Sequence, residues 1–275
     1  MANRRKKNTD NNIYMILDLD GDFVGPHLVM AVGYLEFDTD FFGKKIGFLT
    51  FRYDGISPIH FDAQLERLHD KASWKNYDCL YVRVPSEDIK MLNVLERQGY
   101  ELRDTLLTLV YELKNEELSK RTKDSYNIRL FEEEDSTAIC SISINEYNHS
   151  RFFTDQHLAH KASEMYAAWA LNDAHSEDTA VWVIEKDGEV SGYISCKYDW
   201  GDRTGIINLI AVKKEEQSNG LGKALLYHAI EDIKEKGLPY VQVGTHLSNT
   251  NALNFYLKSG FVVEKSEHSL HKWLT

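Results

Sequence analysis

Gln217-Ser218-Asn219-Gly220-Leu221-Gly222-Lys223 is the stretch whose residue types and spacing point most directly at chemistry. Two glycines at i and i+2 open backbone angles that side chains forbid, so successive N–H groups can turn into one concave loop. Helical spacing begins inside the stretch, over Leu221 to Lys236. The open donors of that first turn add partial positive charge, and Lys223 adds a full one. Such a loop suits a phosphate or pyrophosphate, although a plain glycine-rich turn ahead of a surface helix fits the same letters. A second pattern lies one helix and one strand downstream: Asn249-Thr250-Asn251-Ala252-Leu253-Asn254-Phe255-Tyr256-Leu257-Lys258-Ser259-Gly260-Phe261.

To present these residues the chain needs a strand on each side of the first helix. Ile206 to Val212 and Tyr240 to Gly244 read as those strands. Upstream, a strand at Ile128 to Phe131 precedes helices over Glu133 to Asn145 and His160 to Asn172. Strands Thr179 to Glu185 and Val190 to Lys197 then meet at a Lys186-Asp187-Gly188 turn, and strands Phe261 to Glu264 and Ser269 to Leu274 close the chain.

The first half reads as a tail over residues 1–12, strands Ile13 to Leu19 and Leu28 to Phe37, a turn over Phe37 to Gly47, and a strand to Tyr53. A helix over Ile59 to Trp74 carries Phe61, Leu65 and Leu68 on one stripe. After a strand at Asp78 to Val84, Ser86 is expected to cap a helix that ends at Gln98-Gly99, and Tyr100 to Leu113 is a long strand. Lys114 to Asp124 is charged and nearly free of apolar residues, which predicts domains over 13–113 and 126–275 joined by a linker at 114–125. Leu92 to Tyr100 echoes Leu253 to Phe261, with Leu95 where the second copy has Tyr256.

Together the loop and the Asn249 to Phe261 segment resemble the GNAT superfamily of N-acetyltransferases. The family's acyl-CoA loop, Gln/Arg-x-x-Gly-x-Gly/Ala, matches residues 217–222, and its Asn-x-x-Ala-x-x-x-Tyr…Gly-Phe pattern matches Asn249, Ala252, Tyr256, Gly260 and Phe261. The resemblance implies an α/β (α+β) fold: a mixed, mostly antiparallel central sheet flanked by helices, preceded here by a smaller, degenerate GNAT-like domain. It also implies acetyl-CoA as acyl donor, with its pantetheine arm along Leu209, Ile210, Ala211 and Val212. The pyrophosphate would lie on Gln217 to Lys223, with Asn249, Asn254 and Tyr256 on the CoA arm. Tyr256 matches the tyrosine that protonates the departing thiolate, a role suited to a phenol of ordinary pKa about 10. Where many members carry a glutamate base on the strand before the loop, this sequence has Asn208-Leu209-Ile210, so the base is open; His246 is one candidate.

A narrower resemblance, to dTDP-fucosamine acetyltransferases, rests on Asp38-Thr39-Asp40-Phe41-Phe42-Gly43, Arg151-Phe152-x-x-Asp155, Tyr166-x-x-Trp169 and Ser248 to Tyr256. It implies a dTDP-linked 4-amino-4,6-dideoxy sugar as acceptor, with Arg151, Phe152, Asp155, Tyr166, Trp169 and His246 as candidate contacts. A protein N-terminus, a polyamine or another small amine is the alternative acceptor, and a non-catalytic acyl-CoA sensor the alternative class. Over 275 residues the net charge of -11 argues against nucleic acid or an anionic membrane as partner. Cys79, Cys140 and Cys196 are widely spaced, so neither a disulfide framework nor a metal site is expected. With no signal peptide or spanning segment in view, the sequence suits the cytoplasm, and a homodimer is open.

Overall fold

The computed structural model describes residues 23–25, 28–53, 58–113 and 126–274. The expected tail, the strand at 13–19 and the linker at 114–125 lie outside the described residues. The chain divides into two compact units. The first takes the sequence to Leu106 together with Ser150–Asp155 and the stretch from Ser266; the second takes Leu107–His149 and Gln156–Lys265. This differs from a single division at 114–125, because two short segments of the second half belong to the first unit.

In the first unit, β1 (Phe23–Gly25), β2 (Leu28–Tyr34) and β3 (Ile46–Tyr53) pair antiparallel in sequence. β4 (Cys79–Pro85) then runs parallel to β3. α1 (Glu36–Phe42), α2 (Pro58–Trp74) and α3 (Ile89–Arg97) connect them, and β5 (Glu101–Glu112) follows. Met30, Leu65, Leu80, Val82 and Leu95 form a core with no exposure.

Two local expectations are corrected. Residues 36–42 are a helix, not a turn. Glu36 and Asp38 sit in its first turn, Phe37 and Phe41 stack one turn apart at 5.9 Å, and Gly43 closes it at φ 64°. The cap of α3 is Asp88 rather than Ser86, its Oδ1 accepting the Met91 N–H at 3.1 Å.

The second unit has β6 (Asn127–Leu130), α4 (Ser136–Glu146), α5 (Ala162–Ala174), β7 (Thr179–Lys186), β8 (Glu189–Asp199) and β9 (Thr204–Val212). α6 (Leu221–Glu235), β10 (Tyr240–His246) and α7 (Thr250–Lys258) follow. Strand order is β5-β10-β9-β8-β7-β6, antiparallel from β6 to β9, with β10 parallel to β9. The result is a mixed α/β fold with a mostly antiparallel sheet. The β7–β8 turn places Asp187 at φ 54° and Gly188 at φ 83°, the mirror-image pair a two-residue hairpin needs.

Leu225, Leu226, Ala229, Ile230 and Ile233 of α6 pack with Ile194 and Cys196 of β8. Tyr193 points to the other face, where its hydroxyl meets Ser143 Oγ of α4 at 2.6 Å. α4 and α5 therefore cover the face opposite α6.

β11 (Val262–Trp273) is one continuous strand where two were expected. Lys265-Ser266-Glu267-His268 contains no glycine or proline to break it. Its residues Glu267–Trp273 pair antiparallel with β4 in the first unit. No helix among the described residues is long and apolar enough to cross a membrane.

A buried polar cluster ties the distant segments of the first unit together. The Arg151 guanidinium lies 3.9 Å from the centroids of both Tyr81 and Phe152, and its Nη2 donates to Asp38 at 3.0 Å. Asp155, with no exposure, accepts from His271 Nδ1 at 2.6 Å and Trp273 Nε1 at 2.9 Å. The Arg151 Nη1 contact with His271 Nε2, at 3.3 Å, needs that nitrogen unprotonated. Burial, then Arg151, lower the His271 pKa to about 4, against the opposing bond to Asp155. In the unfolded chain His271 takes its proton near the usual 6.5, so its contribution is whole above that pH and is lost as pH falls through about 4. The urea midpoint of the protein should therefore fall between pH 7 and pH 4, and His271→Gln should flatten that slope. His69, also lowered to about 4 by burial and then Lys272, and His228, lowered by burial, each keep part of the slope.

Candidate active site

β9 and β10 pair in parallel from Thr204↔Tyr240 to Ile207↔Val243 and no further, although β9 continues to Val212 and β10 to His246. Just past that point β9 carries a bulge: Cys196 faces Ile207 and Ser195 faces Leu209, leaving Asn208 without a partner on β8. The Leu209 N–H donates to Ser195 Oγ at 3.1 Å and the Lys213 N–H to the Ser191 carbonyl at 2.9 Å, both on the β8 side. Backbone alternation then turns the groups of Ile210 and Val212 to the side that β10 has left. Buried backbone groups demand partners, so this edge is built to be met by something that offers them.

A 3₁₀ turn, Lys214–Glu216, leads from β9 into the glycine loop. Ser218 (φ 66°) and Gly220 (φ 90°) are both left-handed, and Gly220 starts α6 without a side-chain cap. The amides of the first turn are thus left for an anion. Two residues outside the motif hold the loop. Glu146 at the end of α4 accepts from Gln217 Nε2 at 2.7 Å and from the Lys214 N–H at 3.1 Å. The Tyr126 hydroxyl donates to the Asn219 carbonyl at 2.6 Å. Gln217 Nε2 also reaches the Val212 carbonyl at 3.1 Å, and Asn219 Nδ2 reaches Glu216 at 3.1 Å. Lys223 is exposed, 5.3 Å from the Tyr227 ring. Neither Glu146 nor Tyr126 could be found from sequence, because each lies 68 or more positions from what it holds.

Asn249 caps α7, its Oδ1 accepting the Ala252 N–H at 3.1 Å, which gives that oxygen a structural task. Asn254 is exposed on the same helix. Tyr256 is 3% exposed, between Phe255 and Phe261 at 5.2 and 5.6 Å. Burial, with a smaller push from Cys196, raises its pKa above the ordinary phenol value, so it stays protonated through the neutral range. Leu209 and Ala211 are buried, and His246 ends β10 with its carbonyl accepting the Asn249 N–H at 2.9 Å.

Of the expected acceptor contacts, Tyr166 and Trp169 lie on α5: Tyr166 stacks on Tyr147 at 4.5 Å and meets the edge of Trp169 at 5.1 Å. Arg151, Phe152 and Asp155 are elsewhere, in the interior of the first unit, 8%, 2% and 0% exposed. The expectation that they touch an acceptor is corrected: the guanidinium and the carboxylate are engaged by Asp38, His271 and Trp273. Among the described residues no group of three or more His, Cys, Asp or Glu is placed to hold a metal.

The sequence profile of the acetyltransferase (GNAT) family matches residues 139–261. Among curated relatives, the spore coat polysaccharide biosynthesis protein SpsD of Bacillus subtilis is 29% identical over 203 residues, 71% of this chain and 67% of SpsD. The uncharacterized N-acetyltransferase YvbK of the same species is 31% identical over 43% of this chain and 64% of its own length. A mycothiol acetyltransferase of Streptomyces coelicolor is 28% identical over 31% of this chain, which spans only 28% of that relative. In fold, the chain is similar to a GCN5-related N-acetyltransferase from Sphaerobacter thermophilus, at TM-score 0.64 and 14% identity over 94% of this chain and 84% of the other. It is also similar to a tandem GNAT protein from the clavulanic acid biosynthesis pathway, at TM-score 0.60 and 11% identity over 90% and 79%. The phosphate-type loop, the opened strands and Tyr256 all fall within the matched span. The chain carries a GNAT acetyltransferase domain over residues 139–261, and with it the chemistry of an acyl-CoA N-acyltransferase.

Proposed function

We propose that this protein transfers acetyl from acetyl-CoA to the amino group of a nucleotide-linked sugar, a dTDP-4-amino-4,6-dideoxyhexose first among candidates. The product would serve surface polysaccharide synthesis in the cytoplasm, by direct attack with donor and acceptor bound together. The observation that carries acyl transfer is the opening between β9 and β10 beyond Ile207 and Val243, next to an uncapped helix start. The sugar rests on the similarity to SpsD, whose name places that protein in polysaccharide synthesis.

The residues present fit acetyl-CoA, which supplies the acetyl group activated as a thioester. Ile210 and Val212 would hold the arm and the thioester carbonyl through backbone groups turned into the opening. The amides of Ser218 to Gly222, with Lys223 nearby, would hold the pyrophosphate, and Asn254 stands exposed on the helix beside them. Tyr256 Oη keeps its proton until a sulfur anion departs, which is the task of a general acid. Tyr166, Trp169 and His246 are the remaining candidates for the acceptor side.

Free thiol release from acetyl-CoA, read against nucleotide amino sugars, peptide N-termini and polyamines, tests the acceptor. Turnover with the dTDP-4-amino sugar is expected; turnover with peptides or polyamines alone would discard the sugar. Tyr256→Phe should lower kcat by about 10²-fold or more while calorimetric affinity for CoA holds. Gly220→Ala places a side chain at φ 90° and should weaken CoA binding by about tenfold, with kcat at saturation little changed.

A further inference from the structure

A polar cluster at the bulge has no part in the steps above. Asp173, near the end of α5, accepts the Ser195 hydroxyl on Oδ2 at 2.5 Å and Asn208 Nδ2 on Oδ1 at 3.1 Å. Ser195 Oγ in turn accepts the Leu209 N–H at 3.1 Å, so the three side chains fix the extra residue of β9. Neutral groups would do that as well. A carboxylate taken from water is a costly choice unless its charge is used. Asp173 keeps partial exposure, and each of its oxygens has a lone pair beyond the bond described.

Its surroundings hold its affinity for a proton above that of an ordinary aspartate. Burial raises the pKa most, the Ser195 and Asn208 bonds and Lys197 lower it, and Asp178 raises it. Lys197 is itself paired with Asp178 at 3.0 Å. Tyr193 and Cys196 on β8 are the other titratable neighbours, and Cys196 acts electrostatically on Tyr256 as well. Position adds to this. Asn208, whose Nδ2 Asp173 holds, is the first residue of β9 past its last pair with β10, so the carboxylate lies beside the point where the two strands part. β9 supplies no carboxylate here, and α5 does.

We propose that Asp173 is the base of the transfer, taking through one water the proton that the acceptor ammonium must lose before its nitrogen can attack. The inference rests on the acetyl-transfer reading of this site. An N–H bond of the ammonium breaks, its proton goes to the water, and the water passes one to Asp173. The freed lone pair forms the N–C bond, the C–S bond breaks with its pair on sulfur, and Tyr256 Oη protonates that sulfur. The nitrogen releases its second proton through water to the Tyr256 phenolate, which leaves a neutral amide and a free thiol, and Asp173 returns its proton to solvent.

The test couples a titration to kinetics in the full chain. Carboxyl ¹³C NMR of the protein without acetyl-CoA, with the Asp173 signal assigned by its loss in Asp173→Asn, should show titration above the ordinary aspartate value. Asn208→Ala, which removes a donor to the charged form, should move it higher. With the amine that turns over in the acceptor panel, the acid limb of kcat/KM for acetyl-CoA, which reports the enzyme free of acetyl-CoA, should coincide with that titration and shift with it in Asn208→Ala. Asp173→Asn keeps an acceptor for Ser195; it should lower kcat by about 10²–10⁴-fold and abolish the limb, with CoA affinity and melting temperature held. Adding Asn208→Asp to that variant returns a carboxylate to the bulge and should restore part of the rate. An ordinary titration, a limb that stays while the titration moves, or full turnover in Asp173→Asn overturns the proposal. Loss of the sugar reading would look different, as turnover with a peptide or polyamine on which the same comparison runs. No thiol release with any amine would overturn both readings together.

Discussion

Parallel pairing between β9 and β10 stops after Ile207 and Val243, and the site exists because it stops. Had the two strands stayed in register to their ends, the backbone groups of Ile210 and Val212 would have been consumed by the sheet. Instead they lie on a rigid edge facing the opening, with the Val212 carbonyl held by Gln217 Nε2 and the rest left to meet a ligand without reorganisation. The opening is held by its neighbours. Gly205, where an added Cβ would meet Ile233 at 2.5 Å, lets the far end of α6 sit directly on the paired part of β9. The near end of the same helix carries the loop. One strand thus positions both the edge and the glycine turn that starts α6.

Buried charge is used in two different ways. In the first unit Arg151, Asp38, Asp155 and His271 are fully enclosed and satisfy one another, which makes them a structural device joining sequence-distant segments. Removing one member of such a set strands the others, at a cost of about 3–5 kcal/mol. Asp173 is held less completely, by two neutral donors, and retains access to solvent. Chemistry needs the second arrangement, since a carboxylate locked against a cation has no appetite for a proton.

How much of this was legible follows from how local each cause is. The loop could be read because Gly220 needs a left-handed backbone at the start of a helix, and α7 because Asn249, Gly260 and Tyr256 act within one helix length. α1 was hidden because acidic residues alternating with phenylalanines serve a turn as well as a first helical turn. Arg151, Phe152 and Asp155 misled for the opposite reason: polar and aromatic types close in sequence suggest a surface site, and only tertiary partners such as Asp38, 113 residues away, show them buried. Asp173, Ser195 and Asn208 carry no motif at all, being separated by 22 and 35 positions.

The repeat within the chain separates what the scaffold provides from what the chemistry needs. α3 and α7 start alike, Asp88 (φ -86°, ψ 64°) and Asn249 (φ -85°, ψ 70°) each capping the third amide onward. Both end on a positive-φ glycine, with Tyr100 and Phe261 returning N–H bonds to Leu95 and Tyr256 at 2.9 and 3.1 Å. β3 and β4 pair in parallel from Ile46↔Cys79 to Leu49↔Val82 and then stop, as β9 and β10 do. Yet β2 and β3 keep unbroken register from Leu28↔Tyr53 to Tyr34↔Gly47, where β8 and β9 carry the bulge. The first copy therefore retains the opening and lacks both the phenol and the bulge. A scaffold can keep parted strands for packing alone, with Leu95 sealing the core. An extra strand residue tied to a half-buried carboxylate adds nothing to packing, and it occurs in the copy that retains Tyr256.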